Sequence, residues 1–196
     1  MATAKKTPAT KTASKKTTAK KAAAKQAPAK QPAAKRAAAA SAPPDAIKLL
    51  TADHRDAHAL FEEYKSLVED EADGAERQTL AERICAMLVA HTTIEEEIFY
   101  PAAREALDEE DLLDEAEVEH ASAKDLIAQI QSMGPDDDLY DAKVTVLGEY
   151  VDHHVEEEEG EMFPKCKKAG LDLVALGEQL GARKDELLAA EGADVD

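Results

Sequence analysis

From Asp45 onward, apolar residues recur at intervals of three and four, the spacing that keeps side chains on one face of an α-helix. Ile47, Leu50, His54, Ala57, Phe61, Tyr64 and Val68 form the first stripe and predict a helix over about 45–71. After the break at Asp73-Gly74, Ile84, Met87, Leu88, His91, Glu95 and Ile98 predict a second over about 75–107, with Pro101 kinking it or ending its regular part. Leu113, His120, Ala123, Ile127 and Ile130 predict a third over about 109–132, closed by Met133-Gly134-Pro135. Leu147, Val151, His154, Glu158 and Met162 predict a fourth over about 137–170, in which Pro164 mirrors Pro101. Leu173, Leu176, Leu180, Leu187 and Leu188 predict a fifth over about 171–189 that packs across the others. No stretch alternates in the manner of a strand. The pattern predicts an all-α protein: an up-down-up-down four-helix bundle with an additional C-terminal helix.

Residues 1–44 carry no such pattern. After Met1 they use only Ala, Lys, Arg, Thr, Ser, Gln and Pro, and Pro43-Pro44 marks the change to helical spacing. With no large apolar side chain, this segment cannot offset the entropy of ordering, so a disordered Lys/Ala-rich tail (1–44) ahead of a helical domain (45–196) is expected.

Charge divides at the same place. The whole chain has 24 basic and 42 acidic residues and a net charge of −18, yet the tail holds ten Lys and one Arg with no acid. A flexible cationic chain binds polyanions by releasing counterions, so DNA, RNA or polyphosphate are the partners the tail suggests, without sequence readout. The alternatives are loose folding back onto the acidic domain, or a solubilising spacer. In composition the tail resembles the C-terminal tails of linker histones and bacterial histone-like proteins. Two cysteines, Cys85 and Cys166, are too few for a disulfide scaffold. No apolar run suits a membrane span or a secretory signal. A reducing cytoplasm is therefore the expected compartment, with nucleoid association if the tail engages DNA.

The chemistry lies in the polar members of the apolar stripes. His54, His91, His120 and His154 occupy core positions, and Glu95 and Glu158 stand four residues after His91 and His154, on the same helix faces. The segment His91–Pro101 recurs as His154–Pro164, with histidine, glutamate and proline at matching spacings. Two buried carboxylates are costly unless paired or coordinated. A pair of metal ions removes the conflict, and carboxylate with imidazole inside a four-helix bundle is the donor set of di-iron and di-manganese centres.

These residues resemble the hemerythrin family, in its HHE cation-binding branch. The matching pieces are Asp53-His54-Arg55 with Leu60-Phe61; His91-x-x-x-Glu95-Glu96 with Phe99-Tyr100-Pro101; Glu119-His120 with Lys124 and Leu126-Ile127; and His154-x-x-x-Glu158-Glu159 with Phe163-Pro164. The resemblance implies a non-haem, oxo- or hydroxo-bridged pair of iron ions, with manganese as the other metal that suits the donors. Carried over by position, His54 and His91 would bind one ion, His120 and His154 the other, and Glu95 and Glu158 would bridge them.

The oxygen-carrying members use a His-x-x-x-His pair on the third helix and an aspartate five after the histidine of the fourth. Here Ala116 stands four before His120, and Glu158 stands four after His154. The departure moves the expectation from oxygen transport toward binding, sensing or scavenging O2, NO or peroxide, or handling iron in a stress response. The alternatives are a di-iron enzyme that turns over peroxide or NO, and a nucleic-acid-associated sensor anchored by the tail.

Of the remaining polar residues, His58 is expected at the surface or flank, with an extra ligand or a supporting contact to a ligand as the alternative, and His153 at the surface. Glu96, Glu97, Glu156, Glu157, Glu159 and Glu161 are expected to form a mostly solvated face from which one could reach a ligand imidazole. Phe99, Tyr100, Met162 and Phe163 are expected to be packing that seals one end of the centre, and the cysteines ordinary thiols.

Overall fold

The structure, a computed structural model, describes residues 44–107 and 110–193. Aspartates start three of its helices by accepting amides that helical geometry leaves without a partner. Asp45 accepts from the Lys48 amide (3.0 Å) ahead of α1 (Ala46–Glu69), and Asp73 from the Glu76 amide (2.9 Å) ahead of α2 (Gly74–Ile94). A π-helical segment, π1 (Glu95–Phe99), joins α2 to α3 (Tyr100–Ala106). α4 (Glu110–Gln131) follows. α5 (Tyr140–Glu157), π2 (Glu158–Met162) and α6 (Phe163–Ala169) then repeat the α–π–α succession. Gly170, at φ 81°, ends α6 in the left-handed region that favours glycine. Asp172 accepts from the Ala175 amide (3.1 Å) and starts α7 (Leu173–Ala193).

The all-α expectation holds. Among the described residues there is no strand, and no helix is long and apolar enough to cross a membrane. The expectation of a disordered tail falls on residues that, but for Pro44, lie outside the described ones.

The structure corrects three details. Pro101 does not end the regular part of the second helix: that part has already stopped at Ile94, and the proline falls in the first turn of α3. The Tyr100 amide donates to the Glu95 carbonyl five residues back, and the Phe163 amide does the same to Glu158. Each π turn absorbs one extra residue, which a proline lacking its own amide tolerates. The fourth helix starts at Tyr140 rather than Asp137, because Asp137 instead accepts from the Gly134 amide (2.8 Å) in a turn and Leu139 sits at φ 73°. In α1 the core position belongs to Leu60, while Phe61 is half-buried and Val68 exposed.

α1 packs against α2 and α5, and α4 against the same two, which closes a four-membered ring of helices. Their apolar faces form two clusters. One includes Leu60, Tyr64, Ile84, Leu88, Ile127 and Leu147; the other includes Ile47, Leu50, Ile94, Phe99, Leu113, Met162 and Phe163. The core histidines and glutamates lie along the chain between members of the two clusters. Cys85 and Cys166 are buried free thiols, and burial pushes both up to about 11, which keeps them unreactive.

α7 lies across α1 and α2. It comes close at Gly177, where a Cβ would stand 2.3 Å from the Pro44 carbonyl oxygen and 2.7 Å from the Ala46 nitrogen. Backbone cannot yield as a side chain does. Gly177→Ala is expected to lower the melting temperature by several degrees, because overpacking of about 1–3 kcal/mol exceeds the gain of roughly 1 kcal/mol in helix propensity. An unchanged or higher melt would mean that α7 moves aside freely.

Candidate metal centre

Six side chains converge between the two apolar clusters. Glu95 and Glu158 are 0% and 1% exposed, and His54, His91, His120 and His154 are all buried. One donor atom each from His54, His91, Glu95 and Glu158 lies within 4.8 Å of the others; the same is true of Glu95, His120 and His154. His91 Nε2 is 3.2 Å and His120 Nε2 3.5 Å from Glu95 Oε2. On the opposite side, His54 Nε2 is 3.2 Å and His154 Nε2 3.7 Å from Glu158 Oε2. Each glutamate therefore faces an imidazole from both halves of the chain. The structure brings together all six residues that the sequence singled out.

A carboxylate on the far side fixes each imidazole. His91 Nδ1 faces Asp53 (3.4 Å), His120 Nδ1 faces Glu96 (3.0 Å), His154 Nδ1 faces Glu119 (2.8 Å) and His54 Nδ1 faces Glu159 (2.9 Å). The acid always comes from another element. α1 supplies the acid for α2, π1 for α4, α4 for α5, and π2 for α1, so the pairs run once around the bundle. Lys184 of α7 in turn pairs with Asp53, and Lys124 with Glu96.

Sequence reading missed Asp53 and Glu119 in this role, and it expected at most one of the exposed glutamates to reach an imidazole, whereas Glu96 and Glu159 both do. A signal was available: each of these acids is the immediate neighbour of a core histidine or glutamate. One residue along a helix turns the side chain by roughly 100°, from the bundle axis toward the next helix.

These carboxylates decide the tautomers. Nδ1–H donates outward, and the Nε2 lone pair points into the centre. The interior then contains four imidazole lone pairs and two carboxyl groups, all acceptors. His120 Nε2 and His154 Nε2 are only 3.1 Å apart. The donor that reaches in is the Tyr100 hydroxyl, which gives its hydrogen to Glu158 Oε1 (3.0 Å). Among the described residues, the buried side-chain atoms without a hydrogen-bond partner are His54 Nε2, both oxygens of Glu95 and Glu158 Oε2. Such a collection is unstable unless cations supply the missing partners, and nitrogen with oxygen donors suits first-row transition metals. The residues fit a metal pair.

The electrostatics express the same shortage of positive charge. Burial, together with the nearby Glu158, raises Glu95 well above the usual carboxyl range. Burial also works to raise Glu158, but the facing imidazoles of His54, His154 and His91 outweigh it and hold it at about 2. Burial and the adjacent His154 push His120 down to about 3, and burial lowers His91. For His54 burial is overcome by Glu158 and Glu159, and the value rises.

An apolar cavity of ≈ 30 Å³ opens beside the four histidines, walled by Ala57, Leu88, Ala123 and Val151 among others. His58 is exposed. His153 is exposed too, but stands 3.6 Å from both Glu119 and Glu157, a second and shallower group of possible metal donors. Tyr100 is not mere packing, since its hydroxyl enters the centre.

Residues 45–166 match the model of a family described as Hemerythrin, Hemerythrin HHE cation binding domain. Among solved structures, the chain is similar to a Hemerythrin HHE cation binding domain-containing protein from Mycobacterium kansasii. The TM-score is 0.62 and the identity 23%, over 75% of this chain and 89% of that one. At that identity the likeness concerns the fold. No curated protein matches the chain.

Proposed function

The chain belongs to the hemerythrin HHE cation-binding family, and from that premise we propose that it holds two iron ions and uses them to bind or sense O2, NO or peroxide. His54 and His91 would hold one ion and His120 and His154 the other, with Glu95 and Glu158 available to both. The observation that carries this reading is the imbalance of acceptors over donors, centred on the partnerless atoms of Glu95, Glu158 and His54. Iron, when bound, supplies positive charge, redox capacity and open coordination positions; manganese suits the same donors.

The chain's own residues do the rest. Asp53, Glu96, Glu119 and Glu159 orient the imidazoles, and the two apolar clusters exclude bulk water. The ≈ 30 Å³ cavity exceeds the roughly 10–15 Å³ needed for one water, and its apolar walls suit a diatomic ligand better than a charged one. Steady-state turnover of peroxide or NO by the iron-loaded protein would instead favour the enzyme reading.

Metal analysis and an absorption spectrum of purified protein test the proposal. About two iron ions per chain are expected, and a protein that stays colourless and metal-free after ferrous loading in air overturns it. Glu119→Ala, which releases His154 Nδ1, is expected to weaken iron binding about 10–100-fold while helicity is kept. Competition with a calibrated chelator measures this, and unchanged affinity would deny Glu119 an orienting role.

The tail supports one further reading, an anchor on nucleic acid, because residues 1–44 hold eleven basic residues and no acid. Binding of the full-length protein to DNA should then fall steeply with salt. Salt-insensitive binding, or none, removes it.

A further inference from the structure

The repeated segments of the two halves send different aromatic rings back to the centre, Tyr100 from one and Phe163 from the other. Tyr100 and Phe163 hold the same place in the repeated segment, nine residues after His91 and His154. Each begins the α-helix that follows a π turn, and each lays its ring on an imidazole of the opposite half. Phe163 stacks on His54 with ring centres 5.8 Å apart, and Tyr100 on His120 at 5.3 Å. Phe163 brings no polar atom. Tyr100 brings a hydroxyl, in a side chain 1% exposed, that lies 3.0 Å from Glu158 Oε1, 3.2 Å from His120 Nε2 and 3.4 Å from His154 Nε2.

We propose that the Tyr100 oxygen is a ligand of the ion held by His120 and His154, so that this ion has a phenol donor and its neighbour at His54 and His91 has none. The inference rests on the di-iron reading above. Its support is geometric. A phenol has one hydrogen, yet this oxygen faces three acceptors, because Glu96 and Glu119 commit the two imidazoles to presenting lone pairs. One acceptor can take the hydrogen, and the other two are left lone pair against lone pair. A cation among the four atoms resolves the crowding. Donors about 2.1 Å from one ion lie roughly 3.0 Å apart at adjacent octahedral positions and roughly 3.4 Å apart at tetrahedral ones. The three distances from the hydroxyl oxygen and the separation of the two Nε2 atoms span 3.0–3.4 Å, the same interval. A tyrosine that only sealed the end of the bundle would need the contact to Glu158 alone, and phenylalanine does that sealing in the other half.

The test uses full-length protein loaded with ferrous iron and exposed to air. Wild type is expected to show a visible charge-transfer band from phenolate oxygen to ferric iron, the Tyr100 proton being released to solvent as the metal binds. Resonance Raman excitation in that band should reveal tyrosine ring modes that shift when ring-deuterated tyrosine is incorporated. Tyr100→Phe is expected to lose the band and the modes when spectra are compared per iron bound. Wild type that binds iron without a tyrosine signature, or Tyr100→Phe that keeps one, overturns the assignment and leaves the di-iron reading standing. Failure of wild type to bind any iron overturns both. If Tyr100→Phe does not fold, the labelled wild-type spectrum decides alone.

Discussion

Glu95→Gln is expected to act in opposite directions on the iron-loaded and iron-free protein: iron content falls from about two per chain to one or none, while the iron-free form becomes more stable. Glu95 is completely buried, and neither carboxyl oxygen has a hydrogen-bond partner among the described residues. It faces His91 on one side and His120 on the other, so its loss would affect both proposed ions. Without metal, the same position is the worst-placed group in the core, a carboxyl beside a second carboxyl and two lone pairs. Glutamine keeps the volume and brings two N–H donors to a layer that lacks them. The gain in the iron-free form should be on the order of 1–3 kcal/mol, which is several degrees in melting temperature for a domain of this size. Paired thermal melts with iron and with chelator check it. If the variant binds two irons, or if iron-free Glu95→Gln melts below iron-free wild type, Glu95 does not have the role assigned to it.

Removal of metal from the wild type should have the second large effect. A ligand that binds only the folded chain stabilises it by about 4 kcal/mol at a free concentration a thousand times its dissociation constant, or on the order of 10 °C here. The donors of this centre come from four helices and are brought together only by folding, so an unfolded chain offers no comparable site. A strong chelator is therefore expected to lower the melting temperature by more than Gly177→Ala does, and added ferrous iron should restore it. A melting temperature indifferent to both would mean that the acceptor-rich layer is satisfied in some other way.

Much of this arrangement is legible in the sequence, and the reason is periodicity. A histidine or glutamate that replaces a leucine in a stripe of threes and fours must face the core, so His54, His91, Glu95, His120, His154 and Glu158 could be placed without coordinates. Features that depend on neighbouring helices could not. Asp53 looks like a surface acid until α2 brings His91 against it, and Glu119 until α5 brings His154. The two π turns are hidden for another reason: one extra residue in a turn leaves composition and length unchanged, and proline offers an obvious but different explanation for the irregularity. Tyr100 looks like packing because its ring does pack, on His120, and only the position of its oxygen separates it from Phe163. In α1 the choice between Leu60 and Phe61 turns on adjacent positions that a stripe of threes and fours tolerates equally well.

The circuit of acids and imidazoles also bears on when, during synthesis, the centre comes into being. Three of its links join residues no more than 38 positions apart, and those can form as soon as neighbouring helices emerge. The fourth joins His54 to Glu159, 105 positions later. Contacts of such separation carry the greatest loop-closure entropy and tend to form late. His54 waits for its orienting carboxylate until almost the whole bundle has left the ribosome. On the proposed reading, a nascent chain that meets iron before then would have an incomplete set of donors to offer.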